Sequence, residues 1–272
     1  MARNQREIEA MWEHARVASQ NYLRNCSAGV YLTVSPEETY SGSAICIDVN
    51  GRLFIATAAH NFEGVEGGAT FVVFSANRSS DTPLEIVASN LAQNLPPGTP
   101  DLAWLEIAAE SARASDLTGV SLESVAAYPI LNAMDGYVAT GFPVGMRREE
   151  RQRANHINHV VPLLVYFTAA ARIDDGTIVL NYQREGLGPH GPGQLAEPQG
   201  MSGGAIWHVP TRIEENEIWN PARIRLIGIT TRYSRNREEL EGRAMNEWLQ
   251  LLERDLPDLA PSINPILQNQ NR

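Results

Sequence analysis

The sequence predicts an all-β core of two antiparallel barrels in tandem, with a helix at each end. Its 21 Gly and 16 Pro in 272 residues supply turns at the density that short strands need and a helical bundle does not. From residue 28 onward, apolar residues gather into short β-branched and aromatic runs punctuated by Gly, Asn, Asp and Pro. These runs fall into two groups, joined across roughly residues 110–130, which is the pattern of two closed sheets rather than one.

Residues 5–24 read as an amphipathic helix, because Ile8, Met11, Trp12, Ala15, Ala18 and Tyr22 recur at spacings of three and four. A helix packed on the outside of the main body fits that stripe. The first strand group comprises Val30–Val34, Ser43–Asp48, Arg52–Ala56, Thr70–Phe74 and Leu84–Ala88. Asn50-Gly51 between two of these runs predicts a two-residue hairpin, since both central positions of that turn need positive φ. The second group comprises Gly136–Thr140, Val160–Phe167, Thr177–Leu180, Gly204–Trp207 and Arg225–Thr230, with Asp174-Asp175-Gly176 as a hairpin turn. Leu240, Ala244, Trp248, Leu251 and Leu252 then predict a helix over 236–256, followed by a loosely held tail. The expected organisation is 1–27 helix, 28–120 first barrel, 121–235 second barrel, and 236–272 helix and tail.

The formal charge of −10 argues against a nucleic-acid partner, whose phosphates it would repel. The Arg147, Arg148, Arg151, Arg153 run is interrupted by Glu149 and Glu150 and reads as a solvated segment. His156 and His159 lack a third ligand at metal spacing, so neither a metal nor a cofactor is expected. The N-terminus has no apolar run of signal-peptide type and no stretch approaches a membrane span, so no membrane association is expected. With only Cys26 and Cys46, both read as free thiols, the expected location is the cytoplasm. All 22 basic residues are Arg. Codon bias explains that most simply; the alternatives are self-protection of an enzyme that cleaves after Lys, or work beside a Lys-modifying conjugation system.

The segment that carries chemistry is Gln199-Gly-Met-Ser-Gly-Gly-Ala205. Glycines around a serine let the chain turn sharply and gather backbone N–H groups beside the hydroxyl, giving a nucleophile and an oxyanion site in one loop. Two folds use such a loop, and chain order separates them. An α/β-hydrolase needs an acid and then a histidine after the serine. Downstream of Ser202 the only histidine is His208, six residues on, with no acid between. The opposite order, His then Asp then Ser, is available through Thr57-Ala-Ala-His60. Between His60 and Ser202, only Asp101 opens an apolar strand, Asp-Leu-Ala-Trp-Leu, that could hold a partly buried carboxylate against an imidazole.

The stretch from Gly42 to His60, together with Asp101–Leu105 and Gln199–Ala205, resembles the trypsin/chymotrypsin-like serine peptidases, in their bacterial HtrA-like or glutamyl-endopeptidase-like branch. Thr140-Gly-Phe-Pro-Val-Gly145 and Leu226–Thr231 are similar to further segments of that group. The resemblance covers about residues 28–235 and shows no PDZ-like segment after it. It implies two six-stranded chymotrypsin-like barrels, with His60 and Asp101 on the first and Ser202 on the second. It further implies a serine endopeptidase acting on peptide or protein substrates, with Gly200 and Ser202 N–H groups as the oxyanion hole. Ala196, Glu197, Thr230, Thr231 and Arg232 are the expected substrate-binding residues, Glu197 being the candidate base of an acidic specificity pocket. A catalytically silent peptide-binding module and an esterase on the same scaffold are the alternatives. Met201 stands where secreted relatives carry an Asp that locks the oxyanion loop, so the loop is expected to be inverted or disordered until substrate or an activating partner protein binds.

Overall fold

Alternating burial builds the sheets. In the computed structural model, which describes residues 20–35, 38–77, 82–91, 99–129, 131, 135–146, 148–151, 157–160, 162–168, 171–174, 176–182, 185–188, 191–210 and 223–269, two curled sheets form the body. The first contains β1 (Ser27–Ser35), β2 (Glu38–Val49), β3 (Arg52–Thr57), β4 (Thr70–Ser75), β5 (Ile86–Asn90) and β6 (Ala103–Ile107). Their order is β4-β1-β2-β3-β6-β5, all antiparallel, and a two-residue β7 (Val120–Ser121) adds a parallel bridge to β2. The expected hairpin is present: Asn50 and Gly51 sit at φ 56° and 82°, and Val49 pairs with Arg52.

The second half holds β8 (Gly136–Gly141), β9 (Arg148–Arg151), β10 (Ile157–Val160), β11 (Leu164–Thr168), β12 (Ala171–Asp174), β13 (Thr177–Asn181), β14 (Glu185–Gly188), β15 (Gly191–Gln194), β16 (Ala205–Val209), β17 (Arg225–Ser234) and β18 (Glu239–Ala244). Seven of these form one antiparallel sheet in the order β11-β8-β16-β17-β18-β13-β12, while β9–β10 and β14–β15 are separate hairpins. The architecture is thus the two-barrel one expected, with a seventh strand in each sheet.

Each sheet encloses its own core, Ile55, Phe62 and Leu105 in the first and Tyr137, Ile178 and Tyr182 in the second. A third cluster joins them. On β2, Ala44 and Cys46 face the first core while Ile45 and Ile47 face outward onto Val138, Trp207 and Leu226 of the second sheet. This period-two division lets one strand serve both cores and fixes the barrels against each other.

Helix α1 (Ala109–Ala114) is short, and α2 (Met245–Asp255) and α3 (Ala260–Gln268) close the chain. Trp248 on α2 is fully buried and its Nε1–H donates to the Ala103 carbonyl at 3.1 Å. Asp255 accepts from Asn90 Nδ2 at 2.6 Å and from Trp104 Nε1 at 2.9 Å. The C-terminal helix thereby braces β6, two residues beyond Asp101.

Two expectations at this end are corrected. Residues 239–244 are strand, and the helix begins only at Met245. Leu240, Gly242 and Ala244 point inward while Glu239, Glu241 and Arg243 do not, an alternation that the four-residue spacing of Leu240, Ala244 and Trp248 had obscured. The expected loose tail is instead α3, held by Ile263, which is fully buried, with Leu259 just before it. Of the helix expected over 5–24, only 20–24 lie among the described residues; 20–25 are helical, and Tyr22 meets Trp207 edge-on at 5.9 Å. Arg147, Arg153 and His156 lie outside the described residues. Among the described residues no helix is long and apolar enough to cross a membrane.

Candidate active site

His60 sits just past β3. The strand ends at Thr57, and a 3₁₀ turn over Ala59–Phe62 buries Ala59 and Phe62 while turning the imidazole outward. Asp101 sits just before β6, anchored by Leu102 and Ala103, both fully buried. Because Thr57 pairs with Ala103, the strand register alone brings the two polar side chains together. Asp101 Oδ2 lies 2.6 Å from His60 Nδ1, and Oδ1 accepts the His60 backbone N–H at 2.9 Å. With Nδ1 committed to the carboxylate, Nε2 is the ring nitrogen left for other work. The Asp101 hydrogen bond raises the His60 pKa above its ordinary value, outweighing burial, and the charges of Asp101 and Glu63 add to it. Burial alone would raise Asp101; the bonds and charge from His60 overcome it and hold the carboxyl below the usual range.

Ser202 projects from a loop in which most backbone carbonyls are hydrogen-bonded. Met201 N–H donates to Pro198 O at 2.9 Å, closing a reverse turn that needs Gly200 at φ 94°. A Cβ on Gly200 would lie 2.7 Å from the Phe142 carbonyl, a second reason for glycine. Gly203 N–H donates to Thr230 O at 2.6 Å, and Thr230 Oγ1 donates to Met201 O at 2.5 Å. Met201 itself is fully buried in the second core.

The orientation of the Gln199–Gly200 peptide follows from its partners. Gln199 O accepts Val144 N–H at 2.8 Å. In a trans peptide the N–H points opposite to the C=O, so Gly200 N–H faces away from Val144, and Gly200 itself lines the cleft. Across the next peptide, Gly200 O accepts from Ser43 Oγ at 2.7 Å, and Ser43 Oγ in turn accepts Phe142 N–H at 2.8 Å. Among the described residues, neither Gly200 N–H nor Ser202 N–H has a protein acceptor. An apolar anchor, Met201, and a latch from the other barrel, Ser43, hold this loop in an ordered turn. Ser202 O accepts Ser43 N–H at 2.8 Å and Asn61 Nδ2 at 3.0 Å, so the residue next to His60 touches the residue that bears the hydroxyl.

His60 and Ser202 line one cleft of about 590 Å³ between the barrels. Ser202 Oγ lies 3.5 Å from the Thr231 carbonyl, at a bulge where β17 slips register between Thr230 and Arg232. Of the other expected residues, Glu197, Thr230 and Arg232 line the cleft, and Ala196 and Thr231 do not. Ala196 O accepts from Tyr182 OH at 2.8 Å behind the wall. Glu197 forms an ion pair with Arg235 at 2.8 Å. Ser43, Asn61, Tyr233 and Leu240 were not foreseen. Ser43 lay inside the quoted Gly42–His60 stretch, but its reach across the barrels is a tertiary fact. His208, which chain order had set aside, is bonded to Asp135 at 2.7 Å and stacked on Tyr137, outside the cleft lining. Among the described residues no cluster of ligating side chains could hold a metal ion.

No family model and no curated protein matches the sequence. Solved structures do match. A thermostable serine protease, AL20, from an extremophilic microorganism superimposes with a TM-score of 0.51 at 16% identity, over 84% of this chain and 94% of its own. The HtrA-type protease AlgW with a tripeptide gives 0.50 at 18% identity, over 87% of this chain and 62% of its own. The serine endoprotease from Yersinia pestis gives 0.50 at 16% identity, over 88% and 66% respectively. At these identities the likeness is one of architecture, and it agrees with the strand order: the chain has the two-barrel, chymotrypsin-like fold of the serine proteases.

Proposed function

We propose that this protein is a serine endopeptidase whose triad is His60, Asp101 and Ser202. The observation that carries the reading is that His60, hydrogen-bonded to Asp101, lines one cleft with Ser202, whose N–H and that of Gly200 have no acceptor among the described residues. His60 Nε2 takes the Ser202 proton as Oγ attacks the scissile carbonyl. Asp101 holds the imidazole in the Nδ1–H tautomer and stabilises the imidazolium that forms. The Gly200 and Ser202 N–H groups receive the oxyanion, in a loop that needs no rearrangement before the reaction. The C–N bond breaks, the proton passes from His60 to the leaving amine, and water hydrolyses the acyl-enzyme by the reverse sequence of transfers. The edge of β17 beside Ser202 is suited to pairing with an extended peptide, which favours a peptide over a small ester.

The setting we infer is the cytoplasm, supported by two cysteines that are both buried and unpaired. Labelling by a fluorophosphonate probe, combined with cleavage of a peptide library, tests the reading. Labelling and cleavage by the wild type, both lost in Ser202→Ala, are expected. Peptide binding without labelling would point instead to a silent binding module, and turnover of esters alone to an acyl hydrolase.

A further inference from the structure

On the peptidase reading, nucleophile and base must meet across the boundary between two barrels, since Ser202 rides on the second and His60 on the first. Ser202 Oγ donates to the Thr231 carbonyl at 3.5 Å, and among the described residues it makes no hydrogen bond to the His60 ring. Their spacing is therefore set through the backbones that carry them. Resting on that reading, we propose that Asn61 is a positioning residue. Its side-chain amide clasps the Ser202 carbonyl to the turn that bears His60, and so fixes the gap that the proton crosses.

Asn61 Nδ2 donates twice, to Ser202 O at 3.0 Å and to Thr57 Oγ1 at 2.9 Å, which uses both hydrogens of the amide. Thr57, fully buried, gives its own hydroxyl proton to Ser43 O at 2.7 Å, and Ser43 N–H returns to Ser202 O at 2.8 Å. The four residues close a ring of hydrogen bonds across the barrel boundary, in which each member holds the orientation of the next. An oxygen in the place of Nδ2 would face the Ser202 carbonyl with no proton between them, which assigns the orientation of the amide. The ring sits where it governs the site. His60 and Asn61 are consecutive residues of one 3₁₀ turn, and each carries one link. His60 N–H reaches Asp101 Oδ1 at 2.9 Å, and Asn61 reaches Ser202. A shift of either link moves imidazole against hydroxyl. Two glycines make room for this approach: a Cβ on Gly42 would collide with the Asn61 amide, and one on Gly203, at φ 87°, with Ser43 O and Thr57 Oγ1. Ser43 holds the Gly200 peptide from behind; Asn61 holds Ser202 itself to its base.

The test compares Asn61→Ala with Asn61→Asp, which keeps the shape of the side chain and replaces its donor by an acceptor. Both are assayed above neutral pH, where the new carboxylate is ionised. The measurements are kcat and KM on a peptide substrate, the saturating rate of fluorophosphonate labelling, and the thermal midpoint. A displacement of about 1 Å at the reacting atoms costs about 10²-fold. Asn61→Ala is therefore expected to lower kcat and the labelling rate about 10–100-fold, while KM stays within about twofold. Asn61→Asp, which sets a second acceptor against Ser202 O, is expected to fall at least as far. An Asp variant closer to wild type than the Ala variant would show that the side chain only fills space, and would overturn the proposal. So would an unchanged kcat, a loss confined to KM, or loss of the fold in both variants. Wild type that neither labels nor cleaves would overturn the peptidase reading and the role of Asn61 with it. That result is distinct from a wild type that labels and cleaves at a rate Asn61→Ala leaves unchanged.

Discussion

Ser43 belongs to the first barrel, yet it sets the loop of the second. Its side chain is fully buried and makes two bonds, donating to Gly200 O at 2.7 Å and accepting from Phe142 N–H at 2.8 Å. Ser43→Ala strips a partner from each. A buried polar group left unpaired costs roughly 1–3 kcal/mol, so the two together should destabilise the fold by about 2–6 kcal/mol. The effect on turnover follows from the same bond. Without it, the peptide after Gly200 is free to rock and the oxyanion donors lose their fixed aim. Losing one donor outright costs about 10²–10³ in kcat, and loosening it should cost less, about 10–100-fold. Ser43 lies behind the loop, so KM should barely move. The assay is kcat and KM on the best peptide substrate, with affinities for a peptide aldehyde and for the matching product peptide. The aldehyde, which fills the oxyanion site as a tetrahedral adduct, should weaken in step with kcat while the product peptide does not. Equal weakening of both ligands, or lost stability with unchanged kcat, would refute a positioning role.

Three further outcomes are expected. Ser202→Ala and His60→Ala should each lower kcat on the order of 10⁶-fold, with little added by combining them, and Asp101→Asn on the order of 10⁴-fold; additive losses would show the residues do not act as a unit. The raised His60 pKa means the ring gains its proton, and ceases to act as a base, above the ordinary value of 6.5. The acid limb of kcat/KM should therefore lie above that pH, and Glu63→Gln, which removes a negative neighbour, should move it downward; an upward move would contradict the sign. Burial raises both thiols, with the neighbouring thiol adding to Cys26 and Asp48 to Cys46. Neither should react with a thiol reagent in the native protein, and reducing agent should leave activity unchanged.

Much of the site was legible because it depends on local chemistry. A glycine-flanked serine, a histidine after an apolar strand and an aspartate opening another each have a short-range reason that shows in neighbouring residues. The Asn50-Gly51 turn was legible for the same cause, since positive φ is a property of one or two residues. The fold class followed from turn density and two groups of runs. Where periodicity was ambiguous the sequence misled: Leu240, Ala244 and Trp248 fit a helical spacing, but pairing with β13 and β17 chose the strand. The state of the oxyanion loop was not legible at all. It depends on Ser43, 157 positions from Gly200, and on Val144, partners that only the packing of one barrel against the other supplies. Whether Glu197 charges the pocket was hidden likewise, because Arg235 reaches it from a separate turn. Sequence alone singled out the serine loop, the histidine and the aspartate of the candidate site and the apolar runs beside them; tertiary structure decided how they are aimed and which charges survive, because hydrogen bonds and ion pairs across the chain answer to distance in space and leave no mark in local pattern.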